Sequence, residues 1–249
     1  KNYQLNLIDI SPEALQGLLG YQQTQAVKLA EKNIVNLRNL YQDRQDLIEN
    51  QDVIQAFVDD LLINLKTSTD LGAARNSQFI FEAIVEDVDT KVSILEKLEE
   101  LTSGDPFYFT NTSSIPIHLL DEQVGLDGRI IGYHFYNPPA VQKLVELITP
   151  EKVKPELREI SQELGKRLRK KLIPSNDIAG FIGNGHFMRD GLHAISEVEK
   201  LKKEYSHPEA IYIMNRISQD FLIRPMGIFQ LIDYVGVDVF QLILKTMDP

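Results

Sequence analysis

The chain has 249 residues, 43% of them hydrophobic and 25% charged, which suits one or two globular domains and excludes a disordered or fibrous composition. Its formal charge of −10, from 36 acidic against 26 basic residues, excludes a general attraction to nucleic acid or to an anionic membrane surface. The absence of cysteine removes disulfides, thiolate metal sites and cysteine nucleophiles.

From the start, Tyr3 to Asp9 alternates apolar and polar residues and reads as a short strand ending in an acid. Ser11-Pro12-Glu13 is a helix start: serine caps, proline fits the first turn and glutamate complements the dipole. Apolar residues then recur three or four apart from Ala14 to Leu62, a span too long for one globular helix. Polar breaks between Gln42 and Gln51 divide it into several helices, read as a projecting hairpin. Strands are predicted at Ile63–Thr67, Phe79–Val85 and Phe107–Thr110, the last two separated by a helix from Asp89 to Leu101 with Val92, Leu95 and Leu98 on one face. That alternation implies a parallel sheet.

Two further strands, Ile130–Phe135 and Leu144–Ile148, lie close together across Asn137-Pro138-Pro139 and are expected to pair antiparallel. A charged helix from Glu156 to Lys170 leads to a last strand at Leu172-Ile173. The turn residues Pro174-Ser175-Asn176-Asp177 mark a boundary, beyond which Phe181–Leu201, Pro208–Phe221 and Gly227–Leu244 carry helical periodicity. The reading is an α/β domain over residues 1–176 and a smaller all-α domain over 177–249.

No run of about 18 apolar residues is present to span a membrane. The opening Lys1-Asn2-Tyr3-Gln4, with Asp9 interrupting the first apolar run, does not read as a secretory signal, so a cytoplasmic setting is expected. No cluster of histidines and carboxylates has metal-ligand spacing, and His118, His186, His193 and His207 read as structural.

The chemistry-bearing motifs are Phe81-Glu82-Ala83-Ile84-Val85-Glu86, Thr110-Asn111-Thr112-Ser113-Ser114, Gly132-Tyr133-His134-Phe135-Tyr136-Asn137-Pro138 and Lys143-Leu144-Val145-Glu146. Later come Gly180-Phe181-Ile182-Gly183-Asn184, Arg224-Pro225-Met226-Gly227 and Asp233-Tyr234-Val235-Gly236. In this order and spacing, from about Tyr3 to Leu244, the sequence resembles the 3-hydroxyacyl-CoA dehydrogenase family. The resemblance implies a Rossmann-type NAD-binding domain followed by an all-α dimerisation domain, a homodimer, and oxidation of L-3-hydroxyacyl-CoA in fatty-acid metabolism. In a eukaryote it implies the mitochondrial matrix.

Chemistry supports the same residues. Oxidising a secondary alcohol needs a base for the hydroxyl proton, and neutral histidine suits that task near pH 7. His134 is the candidate, and Glu146, twelve residues later across the turn, is the carboxylate that would orient its ring. The resemblance assigns this pair as the catalytic dyad, with Ser113 and Asn184 as polar partners near the substrate oxygen and nicotinamide. It further implies NAD contacts for Glu86, Lys91, Ser113 and Asn137. Asp9, an acid at a strand end, suits the adenosine ribose hydroxyls and would repel a 2′-phosphate, favouring NAD over NADP.

Two alternatives remain open: a related dehydrogenase of the gulonate 3-dehydrogenase and λ-crystallin type, or a non-catalytic protein keeping the fold. Gly185, after Asn184, stands where the family commonly has arginine.

The resemblance also places a first strand and a glycine turn before Lys1, and a tail after Pro249. None of the 14 glycines forms G-x-G-x-x-G, the turn that cradles a pyrophosphate. Residues 1–249 expressed alone are therefore expected to bind NAD weakly and to leave Leu5, Ile8 and Ile80 facing a strand-sized gap. An extension of roughly 20–25 residues bearing the turn should restore binding. Calorimetry checks this, and tight NAD binding by a mass-verified 249-residue chain would count against it.

Overall fold

The computed structural model describes residues 3–247. Internal packing separates two units: Lys1–Ser77 with Leu98–Gly104, and Gln78–Lys97 with Asp105–Pro249.

In the first unit, β1 (Leu5–Ile8) pairs in parallel with β2 (Leu65–Ser68). The Ser11 hydroxyl accepts the Ala14 N–H, and α1 (Pro12–Lys32) starts there as its cap predicts. The long helical stretch resolves into α1, α2 (Ile34–Leu40) and α3 (Asn50–Leu62). Ala26 and Ala30 of α1, Leu37 of α2 and Val53, Ile54 and Val58 of α3 make its core. Strand β2 begins two residues later than expected, because Ile63 stays helical at φ −58° and donates its N–H to Asp59.

The second unit holds a five-stranded sheet in the order β3-β4-β5-β6-β7. Its strands are β3 (Phe79–Glu82), β4 (Phe107–Thr110), β5 (Ile130–Phe135), β6 (Leu144–Ile148) and β7 (Lys171–Ser175). Only β5 and β6 run antiparallel, as their short connection requires. Between the strands lie α4 (Val88–Leu101), α5 (Ile117–Val124) and α6 (Pro155–Arg167). Central β5 is buried almost throughout, which explains its near-continuous apolar run. Ile131 and Tyr133 of β5 pack with Val145 and Leu147 of β6 and Leu157 of α6.

The final strand runs through Pro174 and Ser175, which the sequence assigns to a turn. Proline is accommodated because β7 is an edge strand with one neighbour, β6. The C-terminal helices are α7 (Gly183–Leu201), α8 (His207–Asp220), α9 (Ile228–Val235) and α10 (Val237–Met247). The single helix expected from Gly227 to Leu244 is two, because Gly236 turns to φ +106° between them. Their shared core contains Met188, Met214, Ile232 and Phe240.

Gly132 is where the sheet leaves no room. A Cβ there would lie 2.7 Å from Ile148 Cβ and 3.0 Å from Ile117 Cδ1. The Ile148 contact is at Cβ, next to the backbone of β6, so it cannot be relieved by rotating a side chain. Gly132→Ala is expected to cost about 1–3 kcal/mol of stability by overpacking. Urea denaturation measures it, and an unchanged midpoint would show that the strands yield without cost.

Candidate active site

Antiparallel pairing sets His134 of β5 directly opposite Glu146 of β6. Side chains alternate along a strand, so Gly132 and His134 share one face of the sheet with Glu146 and Ile148, while Tyr133 and Leu147 face the core packed by α6. Both members of the pair are buried. His134 Nδ1 is 3.7 Å from Glu146 Oε1.

The carboxylate is held from a third direction by the start of α7. Ile182 donates its N–H to Oε2 at 3.0 Å, and Gly183 donates to Oε1 at 3.0 Å. A helix start has unsatisfied N–H groups and a positive dipole end, and Glu146 answers both. The Tyr136 hydroxyl also donates to Oε1. Gly183 leaves room for this arrangement, since a Cβ there would lie 2.5 Å from the Tyr136 hydroxyl and 3.0 Å from Oε1 and would push them aside. Burial would push the Glu146 carboxyl up, but His134, the Tyr136 hydroxyl and the two backbone N–H groups outweigh it and bring the group down to about 2.

A second, half-buried carboxylate organises the loop after β4. Glu86 Oε1 accepts the N–H groups of Ser113 (2.8 Å) and Ser114 (2.9 Å) and the hydroxyls of Thr112 (2.7 Å) and Ser114 (2.9 Å). Burial opposes the charge, yet these donors and nearby Lys91 leave the carboxyl below its ordinary range. The Asn184 amide reaches across from α7 to donate to the Ser113 carbonyl at 2.9 Å. Ser113, Asn184 and Glu86 are thus assembled into one network.

Lys91 is placed differently from a ligand-facing cation. It is 1% exposed, donates Nζ to Glu82 Oε1 at 2.7 Å and lies 3.6 Å from Glu86 Oε2. Glu82 also accepts the Thr110 hydroxyl at 2.6 Å, so the lysine braces the network from beneath. Asn137 is exposed just past β5. Asp9 is exposed at the end of β1, in the other unit, and accepts the Ser11 N–H at 2.8 Å.

Sequence reasoning assigned no role to Tyr136 or Glu82. Tyr136 had a signal: it lies two residues beyond His134, just past the strand end, where a period of two carried one step further returns the side chain to the same face. Glu82 had none, because its partners Lys91 and Thr110 meet it only once the sheet has formed.

Residues 1–178 match the sequence model of the 3-hydroxyacyl-CoA dehydrogenase, NAD binding domain. The chain belongs to the 3-hydroxyacyl-CoA dehydrogenase family. It is 29% identical over 210 residues to the mitochondrial hydroxyacyl-coenzyme A dehydrogenase of Rattus norvegicus, covering 83% of this chain and 65% of that one. A probable 3-hydroxybutyryl-CoA dehydrogenase of Deinococcus radiodurans is 31% identical over 180 residues, 72% of this chain and 63% of that protein. The chain therefore spans just under two thirds of the length of these relatives. The crystal structure of M. tuberculosis FadB2 aligns with a TM-score of 0.72 at 25% identity, covering 98% of this chain and 78% of that one. The fold is accordingly the family's: a Rossmann-like, mainly parallel sheet with a helical C-terminal part.

The depressed Glu146 ionisation has a measurable consequence. A carboxyl held lower in the folded than in the unfolded state stabilises the fold above its ordinary value of 4.5, and that contribution is lost as pH falls toward about 2. The stability advantage of the parent over Glu146→Gln is therefore expected to narrow between those limits. Urea unfolding of both proteins across this range tests it, and a gap independent of pH would show that the charge of Glu146 is not what the fold uses.

Proposed function

We propose that the chain forms the NAD-binding and catalytic part of an enzyme oxidising L-3-hydroxyacyl-CoA to 3-oxoacyl-CoA in fatty-acid metabolism. The observation that carries this reading is the in-register pairing of buried His134 with a carboxylate anchored by three further donors.

The residues fit a dinucleotide. Strands β3, β4 and β5 are mutually parallel, and Glu86, Ser113 and Asn137 follow their C-terminal ends, the edge where open α/β sheets bind ligands. In the first unit taken by itself, Asp9 follows the end of β1, a position suited to accepting ribose hydroxyls and to disfavouring a 2′-phosphate. Lys91 serves by holding Glu86 in place. NAD, when bound, supplies the hydride acceptor.

The chain's own groups manage the proton. Nδ1 of His134 is the nitrogen near Glu146, which leaves Nε2 to take the hydroxyl proton as the alcohol carbon becomes a carbonyl. Glu146 compensates the imidazolium charge while remaining ionised itself. Ser113 and Asn184, joined through the Ser113 carbonyl, hold the polar wall around the substrate oxygen. We assign the division at residue 176 to these roles, with the helices after it forming a homodimer. Exposed Phe221, Ile223 and Tyr234 on that part support an apolar association surface.

Protein extended at its start by a segment bearing the glycine turn is expected to reduce acetoacetyl-CoA with NADH and to prefer NADH over NADPH. His134→Gln should lower turnover by roughly 10²–10⁴, the usual worth of a general base, with little change in NADH affinity. Near-native turnover would remove His134 from the mechanism. Activity on L-gulonate alone would move the substrate to the related branch, and silence on both substrates would favour a non-catalytic role.

A further inference from the structure

The Glu146 carboxylate is approached by four donors, three of them at one oxygen. Oε2 accepts the Ile182 N–H, while Oε1 faces the Tyr136 hydroxyl, the Gly183 N–H and His134 Nδ1. A carboxylate oxygen carries two lone pairs, and any further donor has to share them. On Oε1 both are taken, by Tyr136 and Gly183. His134 Nδ1 is left at 3.7 Å, beyond hydrogen-bond length, buried and without a partner.

We propose that Tyr136 is a positioning residue that competes with His134 for Glu146, and so sets how strongly the carboxylate can support the imidazolium. This rests on the reading of His134 as base and Glu146 as its partner.

The competition is built into the fold. Tyr136 directly follows the strand that carries His134, and their ring centroids are 5.3 Å apart. The start of α7 lies against the phenol, since a Cβ added at Gly183 would fall 2.5 Å from the Tyr136 hydroxyl. Burial and its bond to Glu146 raise the Tyr136 ionisation well above its ordinary value, so the hydroxyl remains a donor throughout the neutral range. The groups facing this carboxylate are His134 and Tyr136 from β5 and the residue following it, and the N–H groups of Ile182 and Gly183 from the start of α7. The Phe181 ring, 6.2 Å from that of His134, brings no charge. Removing one hydroxyl therefore frees an acceptor position that Nδ1 can occupy.

The test is an NMR titration of the histidine imidazoles, which needs neither cofactor nor turnover. The chain has five histidines, and His134→Gln assigns the relevant signal by its loss. Tyr136→Phe keeps the ring and removes only the hydroxyl. The His134 imidazole is expected to titrate about one pH unit higher in this variant, since the imidazolium gains a charge-assisted bond. Glu146→Gln should shift the titration down, and adding Tyr136→Phe to it should then produce no rise. If Glu146→Gln lowers the midpoint but Tyr136→Phe leaves it unmoved or lowers it, the competition is overturned and the dyad stands. If Glu146→Gln has no effect on the midpoint, the dyad reading itself fails and the proposal falls with it.

Discussion

A carboxylate buried beneath a sheet face must be surrounded by donors, because an unpaired charge in that setting costs several kcal/mol. Glu146 is 2% exposed, and the local architecture follows from satisfying it. The antiparallel turn between β5 and β6 brings His134 opposite, the chain continues to Tyr136, and α7 directs its first N–H groups at the same atoms. Two glycines follow from the resulting crowding: Gly132 lets the strands meet over Ile148, and Gly183 lets the helix approach the phenol.

Glu86 is built on the same principle at the neighbouring strand ends. It gathers the N–H and hydroxyl donors of residues 112–114, and the buried Glu82–Lys91 pair holds it from below. Asn184 joins the two assemblies, since it follows the glycine bound to Glu146 and donates to Ser113 beside Glu86. Buried networks of this kind polarise and rigidify one another when every member is satisfied. The open position in this network is His134 Nδ1, 3.7 Å from Glu146 Oε1.

Much of this was visible along the chain because the relevant interactions are local. Strands β4 to β6, the start of α1 and helices α6 and α8 fall where periodicity and caps place them, while β3 stops at Glu82, three residues short; a strand's alternation and a helix's 3.6-residue repeat are written in adjacent residues. Even the antiparallel β5–β6 pair could be inferred, as its connection is too short for a crossover. The differences arise where neighbours override local preference. Pro174 lies in a strand because the missing N–H faces an open edge, and Gly236 divides a helix whose apolar pattern continues through it.

The amino-acid sequence by itself determined the alternation of strands and helices, the motif order that marks the family, and the pairing of His134 with Glu146 across one short turn. Tertiary structure alone decided that Glu146 also serves α7, thirty-six residues further on, that Lys91 is turned inward on Glu82, and that Tyr136 holds the oxygen nearest His134. The physical reason is the range of the forces involved. Backbone periodicity is felt between residues a few positions apart, whereas competition for a buried charge exists only once distant segments have closed around it and excluded water.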